Sequence, residues 1–507
     1  MNTNYVDFSE ITKEITITGF YSEYLPKCFE ITDEFFKRIP PKKCDLIKPL
    51  QFSMSKFDST DSRRTISIPE FGSYAVLSNY IIENNIVEEI VLFCDSMNNS
   101  FSRILNEDNT IMRHEQSYDS FLFKEKLDKS NYVDNIIEKI TRSIGAKKIL
   151  KLDISNCYSS FYVHMIPAIL LGYSTAEFEY NKYLKNHNDS TINPIYIRYA
   201  ELDVLNRQQN LNQTNGLLIG TQFSKIITEG ILTRIDIELN QSDIKFSRFV
   251  DDYEVYLYED NEKQITSIFE QILNKYGFAL NTEKTIINEF PYYISENLDK
   301  IFKDKTISNI DEIELMDLFN SFYNLEIGGT KGAIRYLLKS LECSKIEINA
   351  PELYKSYLIT IIRNNERSLT KACSLLIENK DNIILTDEDL DIICHQISTH
   401  IKNRRDLEVI WLIYLLIETD NINKCQSIIN EIVDSTNELA QVILLRRNHL
   451  NEEQLHFLSN KCSTWLMIYE LYACDKIDEN QFVSKLSLQR NLDMYNYLKS
   501  KNLHFIN

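Results

Sequence analysis

Apolar residues along this chain keep two different rhythms. Up to about residue 295, extended and helical runs alternate. Ile149, Leu150, Leu152 and Ile154 form a nearly continuous apolar run, the pattern of a buried strand. Asp153 lies toward its end, and a helix is predicted beyond it, from Phe161 to Leu171. Ser62–Pro69 reads as a short extended run, Tyr74–Ile82 has helical spacing, and a further helix is predicted over 30–38. Lys245–Tyr258 is crowded with aromatic and β-branched residues on both sides of Asp251-Asp252, which predicts a hairpin with the two acids at its tip. The glycine-bearing loop Asn215–Phe223 leads into a helix from Ser224, with Ile227, Ile231, Leu232 and Ile235 on one stripe. A helix over Ile265–Tyr276 ends at Gly277, ahead of a second predicted hairpin carrying Lys284.

From Asp311 to about Ser500 the rhythm is helical alone, in eleven segments running from 311–324 to 488–500, separated by short joints rich in Asn and Asp. Val409–Ile417, the most apolar run, has the length of a buried helix face and is too short to span a membrane. Glycine marks the same division. All eleven glycines lie at or before Gly332 and none follows, while eight of nine prolines precede residue 300. Stacked helices with short polar joints need neither residue, so the expected boundary falls near 295–310, dividing residues 1–300 from an α-helical repeat region over 301–507. No fixed motif recurs, which makes the second region a degenerate HEAT-like array.

Composition narrows the function classes. The 507 residues are 43% hydrophobic and 25% charged, as in globular domains. Ten scattered cysteines without a Cys-x-x-Cys pair read as reduced thiols rather than as disulfides or a zinc site. His395 and His400 are expected on a helix surface. The N-terminus has neither the basic start nor the apolar core of a signal peptide, and a cytoplasmic protein is expected. The net charge of −19 opposes long-range attraction to nucleic acid, so any such contact is confined to a local basic channel.

The chemistry-bearing residues fall into four stretches. Adjacent carboxylates at a tight turn repel each other unless a cation lies between them, and hard oxygen ligands suit Mg²⁺. Asp153, at the end of a buried strand, also requires a donor or a metal. Tyr158 lies five residues beyond it; Gly216 and Gly220 let a backbone press against a ligand; Lys284 follows a tight turn. Arg63 and Arg64 could meet a triphosphate, or equally form a solvated edge.

In order and spacing these stretches resemble the palm of a reverse transcriptase. Asp153 with Tyr158 is similar to motif A, Gly216–Ser224 to motif B, Phe249–Asp252 to the aromatic-x-Asp-Asp of motif C, and Gly277–Lys284 to motif D. The similarity covers roughly residues 15–295 and implies an α+β right-hand polymerase, fingers and palm, followed by the helical array. It implies two-metal nucleotidyl transfer on Mg²⁺ or Mn²⁺, with Asp153, Asp251 and Asp252 as ligands and Lys284 serving the leaving pyrophosphate. Deoxynucleoside triphosphates would be bound by Tyr158, Gly220, Gln222 and Arg64, the Tyr158 ring excluding a 2′-hydroxyl. One departure matters. Templated reverse transcriptases carry Pro-Gln before the second glycine of motif B, and here Leu218 and Ile219 stand in those places.

A palm followed by such an array resembles the bacterial abortive-infection and antiphage-defence reverse transcriptases of the AbiK and AbiA type. That resemblance implies an oligomeric, protein-primed DNA polymerase working without an ordinary template, its DNA covalently attached, answering an unknown phage trigger. The array would wall in the growing strand. Tyr5 and Tyr24 are the N-terminal priming candidates. Two other functions compete: a templated enzyme copying an associated non-coding RNA, and a helical-repeat sensor whose palm is a catalytic relic.

Overall fold

The computed structural model describes residues 6–56, 62–106, 111, 113–117, 129–293, 309–343 and 347–507. Tyr5 and most of the expected 295–310 boundary lie outside them.

Two antiparallel units carry the first half. Leu50–Ser55 (β1) pairs with Arg63–Ile68 (β2) in full register, Leu50 opposite Ile68. The palm sheet is built from Lys148–Asp153 (β3), Phe246–Phe249 (β4), Asp252–Leu257 (β5) and Ile286–Glu289 (β6), in the order β4-β5-β3-β6. Leu150 and Leu152 of β3 and Val255 and Leu257 of β5 join one apolar cluster with Ile227, Ile231 and Ile235 of the helix Gln222–Gln241 and with Phe269 of the helix Glu262–Lys275. Period-two patterning thus lays the sheet on two helices and leaves its strand ends at the rim.

Several local expectations are corrected. The helix expected from Phe161 to Leu171 is broken into a turn at Cys157–Ser160, a 3₁₀ turn at Val163–Met165 and a helical turn at Ala168–Leu171. Pro167, which lacks an N–H, stands at the last of these breaks. Residues 30–38 hold only a five-residue 3₁₀ turn, Asp33–Lys37. Lys284 closes a 3₁₀ turn, and the strand after it pairs with β3 instead of forming a hairpin of its own. His400 is buried, not at the surface, and burial lowers the pKa of its imidazole.

The second half is a HEAT-like stack. Helices 333–343, 366–378, 406–418, 438–446 and 465–473 pack in sequence as one layer; 351–364, 387–402, 426–434 and 452–461 pack as another. The first layer lies between the second and the fingers, which explains why 406–418 and 465–473 are apolar all round. Asp311/Glu314, Thr386/Asp389, Asn451/Gln454 and Asp478/Gln481 form reciprocal capping boxes that satisfy first-turn N–H groups. At the other helix ends Arg404, Asp420, Asn448, Asp475, Ser487 and Asn502 take the left-handed conformation usually given to glycine.

The fingers and the array share one apolar cluster. It contains Phe20, Leu50, Phe52, Ile66, Ile68 and Phe71 together with Leu412, Leu416, Trp465, Tyr469 and Phe505. Buried polar bonds reinforce it. Arg63 makes a two-pronged pair with Glu408, both contacts 2.7 Å, and the backbone N–H of Ser53 donates to Asp406 at 2.7 Å. Asp45 Oδ2 accepts the N–H groups of Gln489, Arg490 and Asn491. Arg63 is therefore a tie between fingers and array and does not serve a triphosphate.

Removing Arg63 strands the Glu408 carboxylate, which is only 2% exposed. Arg63→Ala is expected to cost about 2–4 kcal/mol, read as a lower thermal midpoint, with part of the loss recovered by adding Glu408→Gln. A loss no larger than that of an exposed arginine would contradict the assignment.

Candidate active site at the hairpin tip

β4 and β5 are joined by Val250-Asp251, and Asp252 opens β5 opposite both Phe249 and Asp153. Two carboxylates 99 positions apart in sequence are thereby set side by side through strand register. Backbone bonds fix the junction: Ile154 N–H donates to Asp251 O at 3.2 Å, Asn281 N–H to Asp153 O at 2.8 Å, and Ser155 N–H to Ala279 O at 2.8 Å. The ends of motifs A, C and D meet there.

The electrostatics follow. Asp153 is buried; its Oδ2 accepts from Asn281 Nδ2 at 3.1 Å and its Oδ1 from Lys284 Nζ at 3.3 Å. Burial raises the Asp251 carboxyl above its ordinary range, Asp153 adding to the effect. Asp252, exposed at the rim, is pushed up to about 7, first by the loss of hydration around its carboxyl in the cavity and then by the charges of Asp251 and Asp153. Three hard carboxylates that repel one another at the rim of a cavity fit divalent cations as ligands. Among the described residues it is a different cluster, Glu470, Cys474 and His504, that brings three ligand atoms within 4.8 Å of one another. There Arg446 already pairs with Glu470 at 3.5 Å and reaches Cys474 Sγ at 3.6 Å, so a protein cation fills that place.

Motif B is shaped by close approach. Gly220, at φ +135°, faces β2 so tightly that a Cβ would lie 2.7 Å from Ser67 O, and Ser67 N–H donates to Ile219 O at 2.7 Å. Gly19 leaves room for Gln222, whose Cβ would stand 2.4 Å from one added there. Gln222 Nε2 is buried without a hydrogen-bond partner. Tyr158 is partly buried against the palm core, and its carbonyl accepts from Leu217 N–H at 2.9 Å. Arg64 is exposed on β2, and its charge opposes the rise at Asp251.

All eight candidate residues line one cavity of about 1390 Å³: Asp153, Asp251, Asp252, Lys284, Tyr158, Gly220, Gln222 and Arg64. The array supplies its far wall, lined by Lys331, Arg335, Lys339, Arg367, Lys371 and Glu342; Lys371 pairs with Glu342, and Arg367 lies 3.8 Å from Glu326.

Sequence reasoning missed two sets of residues. Asn281 donates to Asp153, and an asparagine in a turn gives no signal of its own. Behind the hairpin, Arg248 is fully buried between Glu229 and Asp236 of the motif B helix, with its Nη2 at 2.8 Å from each. An arginine in the middle of an aromatic strand was the available sign.

Residues 92–309 match the family model described as reverse transcriptase (RNA-dependent DNA polymerase). The chain thus contains a reverse transcriptase domain of nucleotidyltransferase type, spanning all four motifs. No curated protein matches the chain in sequence. Among solved structures, it is similar to telomerase from Candida albicans in complex with the TWJ fragment of telomeric RNA, at 13% identity and a TM-score of 0.30, covering 84% of this chain and 65% of that one. It is also similar to apo telomerase from Candida tropicalis, at 12% identity and a TM-score of 0.32, covering 76% and 68%. The chain therefore spans just under two thirds of the first of these.

Asp252 binds its proton more tightly folded than unfolded. The stability that this gives is present below the ordinary carboxylate range and is lost as pH rises through about 7. Cations offset that loss. Mg²⁺ should raise the thermal midpoint more at pH 8 than at pH 6, and Asp252→Asn should shrink the difference; equal shifts at both pH values in the native protein would contradict it.

Proposed function

We propose that this chain is a deoxynucleotide-adding polymerase of reverse-transcriptase type that grows DNA from one of its own hydroxyls, largely without a template, in defence of a bacterial cytoplasm against phage. The observation that carries the reading is the register pairing of Asp153 with Asp252 at the mouth of a cavity whose far wall is cationic. Residues 1–300 act as fingers and palm, and 301–507 as the wall.

Asp153 and Asp251 hold the ions and Asp252 assists. Bound Mg²⁺ or Mn²⁺ supplies charge neutralisation and activation of the attacking hydroxyl. Lys284 neutralises the Asp153 charge in the resting site and turns to the leaving pyrophosphate. Arg64 meets the triphosphate from the fingers side. The Tyr158 ring lies against the sugar and leaves no room for a 2′-hydroxyl.

Template independence is supported by what became of motif B. Leu218 is buried, and Ile219, which packs against the fingers–array cluster, also lines the cavity, so apolar side chains stand in the places usually given to Pro-Gln. Priming from the protein is supported by charge: with a net −19, capture of a free primer is weak, whereas a tethered hydroxyl has a high effective concentration. Tyr24 lines the cavity and is the first hydroxyl to test. The family description, RNA-dependent DNA polymerase, favours a second reading in which an associated RNA is copied.

The test is incubation with each labelled deoxynucleotide and Mg²⁺, with and without RNase, followed by denaturing gels before and after proteinase. Label should enter the gel only after proteinase, survive RNase pretreatment and run as free DNA in no sample left without proteinase. Asp153→Asn and Asp251→Asn should each lower incorporation by about 10³-fold or more. Free, RNase-sensitive product would put the templated reading ahead.

Sugar choice is tested separately. Tyr158→Val should reduce discrimination against ribonucleotides by about 10-fold or more, measured as the ratio of kcat/KM values. Unchanged discrimination would make Tyr158 a packing residue.

A further inference from the structure

Val250, the first loop residue between β4 and β5, has a φ of +54°. Two-residue hairpin loops with a positive φ at this position ordinarily place asparagine, aspartate or glycine there. Valine, branched at Cβ, is among the residues least tolerant of it. Such strain persists only where the surroundings over-determine the backbone.

Here they close a ring on it. Val250 N–H donates to Ser102 Oγ at 2.8 Å, and Ser102 Oγ–H donates to Glu229 at 3.4 Å. Glu229 accepts from Arg248 at 3.0 and 2.8 Å, and Arg248 Nη1 donates back to Val250 O at 3.0 Å. Asp236 takes the remaining donors of Arg248, at 2.8 to 3.1 Å, and also accepts from Tyr253 at 3.2 Å. Arg248 and Ser102 are 0% and 1% exposed, so neither meets the contents of the cavity. Their effect reaches the site through the residue that precedes Asp251.

We infer that Arg248 is a positioning residue for Asp251, acting through the Val250 peptide with Ser102 as the second point of attachment; this rests on Asp251 being an ion-holding carboxylate. Charge balance alone does not require the arginine. A lysine would bring the same single positive charge to the two acids, but its three donors cannot hold both carboxylates in this pattern and also reach Val250 O. The five N–H groups of arginine do all of it. Serine at 102 is equally particular, because one hydroxyl must accept from Val250 and donate to Glu229.

The test reads ion affinity directly. The full chain is titrated with Mn²⁺ in the presence of dATP, and free Mn²⁺ is followed by electron paramagnetic resonance. Ser102→Ala and Arg248→Lys should each weaken Mn²⁺ binding about 10-fold, with circular dichroism unchanged. Adding Val250→Gly to Ser102→Ala should return affinity to within about 3-fold of the native protein, because glycine holds a positive φ without support. A purely structural role would lower the thermal midpoint, leave Mn²⁺ affinity untouched and show no recovery with glycine; that result overturns the inference. Should Arg248→Lys fail to fold, the Ser102 pair of variants decides. A native chain that binds Mn²⁺ yet incorporates no deoxynucleotide refutes the polymerase reading while the affinity comparison still judges Arg248; a native chain that binds no Mn²⁺ refutes both.

Discussion

Three carboxylates sharing a half-buried rim is the constraint to which the surrounding structure responds. Coulomb repulsion and desolvation act in the same direction there, and both hold Asp252 near neutrality. A fold can keep such a group only by fixing its backbone and placing positive charge around it. Strand register fixes Asp153 and Asp252; backbone bonds from Ile154 and Asn281 fix the turn. Lys284, Arg64 and the Asn281 amide surround the acids with donors and charge. The same logic recurs one layer down, where Arg248 neutralises Glu229 and Asp236 inside the core.

What the sequence disclosed and what it concealed divide along physical lines. Helices of the array follow a local period, and eleven of them could be placed within a few residues; Glu479–Leu486 was passed over because its eight residues offer two buried positions. Strand β3 and the Asp251 hairpin were legible because aromatic and β-branched residues crowd them. The partner of β2 was not, since Leu50–Ser55 shows its register only against Arg63–Ile68. Within the site, residues whose chemistry is written in their type stood out: acids at a strand end, a glycine pressed on a backbone. Arg63 and Arg64 are adjacent and chemically alike, and only the position of Glu408 separates a structural tie from a cavity residue. Asn281 and Ser102 depend on neighbours 128 and 148 residues distant.

The acidic balance of the chain also looks different once charge has a location. Five cations collected on the inner wall of an acidic array set a field that is local, within roughly a Debye length of about 10 Å. Such a surface acts on a strand already inside the cavity and does little to attract one from solution. Beyond Gly332, which itself lines the cavity, glycine-free construction suits that wall. Short capped helices whose ends are closed by Asn, Asp and Ser place side chains along a continuous face without the flexible joints glycine would bring.

The closing contacts of the chain reach back over almost its whole length. Asn507 N–H donates to Cys28 O at 2.9 Å, Phe29 bridges Ile506, and Trp465 Nε1 donates to Ile68 O at 3.5 Å. On the ribosome, the sheet that aligns the aspartates can form once residue 289 has emerged. The apolar faces of Phe20, Ile68 and Phe71 wait for Trp465 and Phe505, which arrive some two hundred residues later. A nascent chain therefore presents a finished palm beneath an unfinished nucleotide-side cover throughout translation of the array. Completion of that cover is timed by the emergence of Phe505 rather than by the folding speed of the palm.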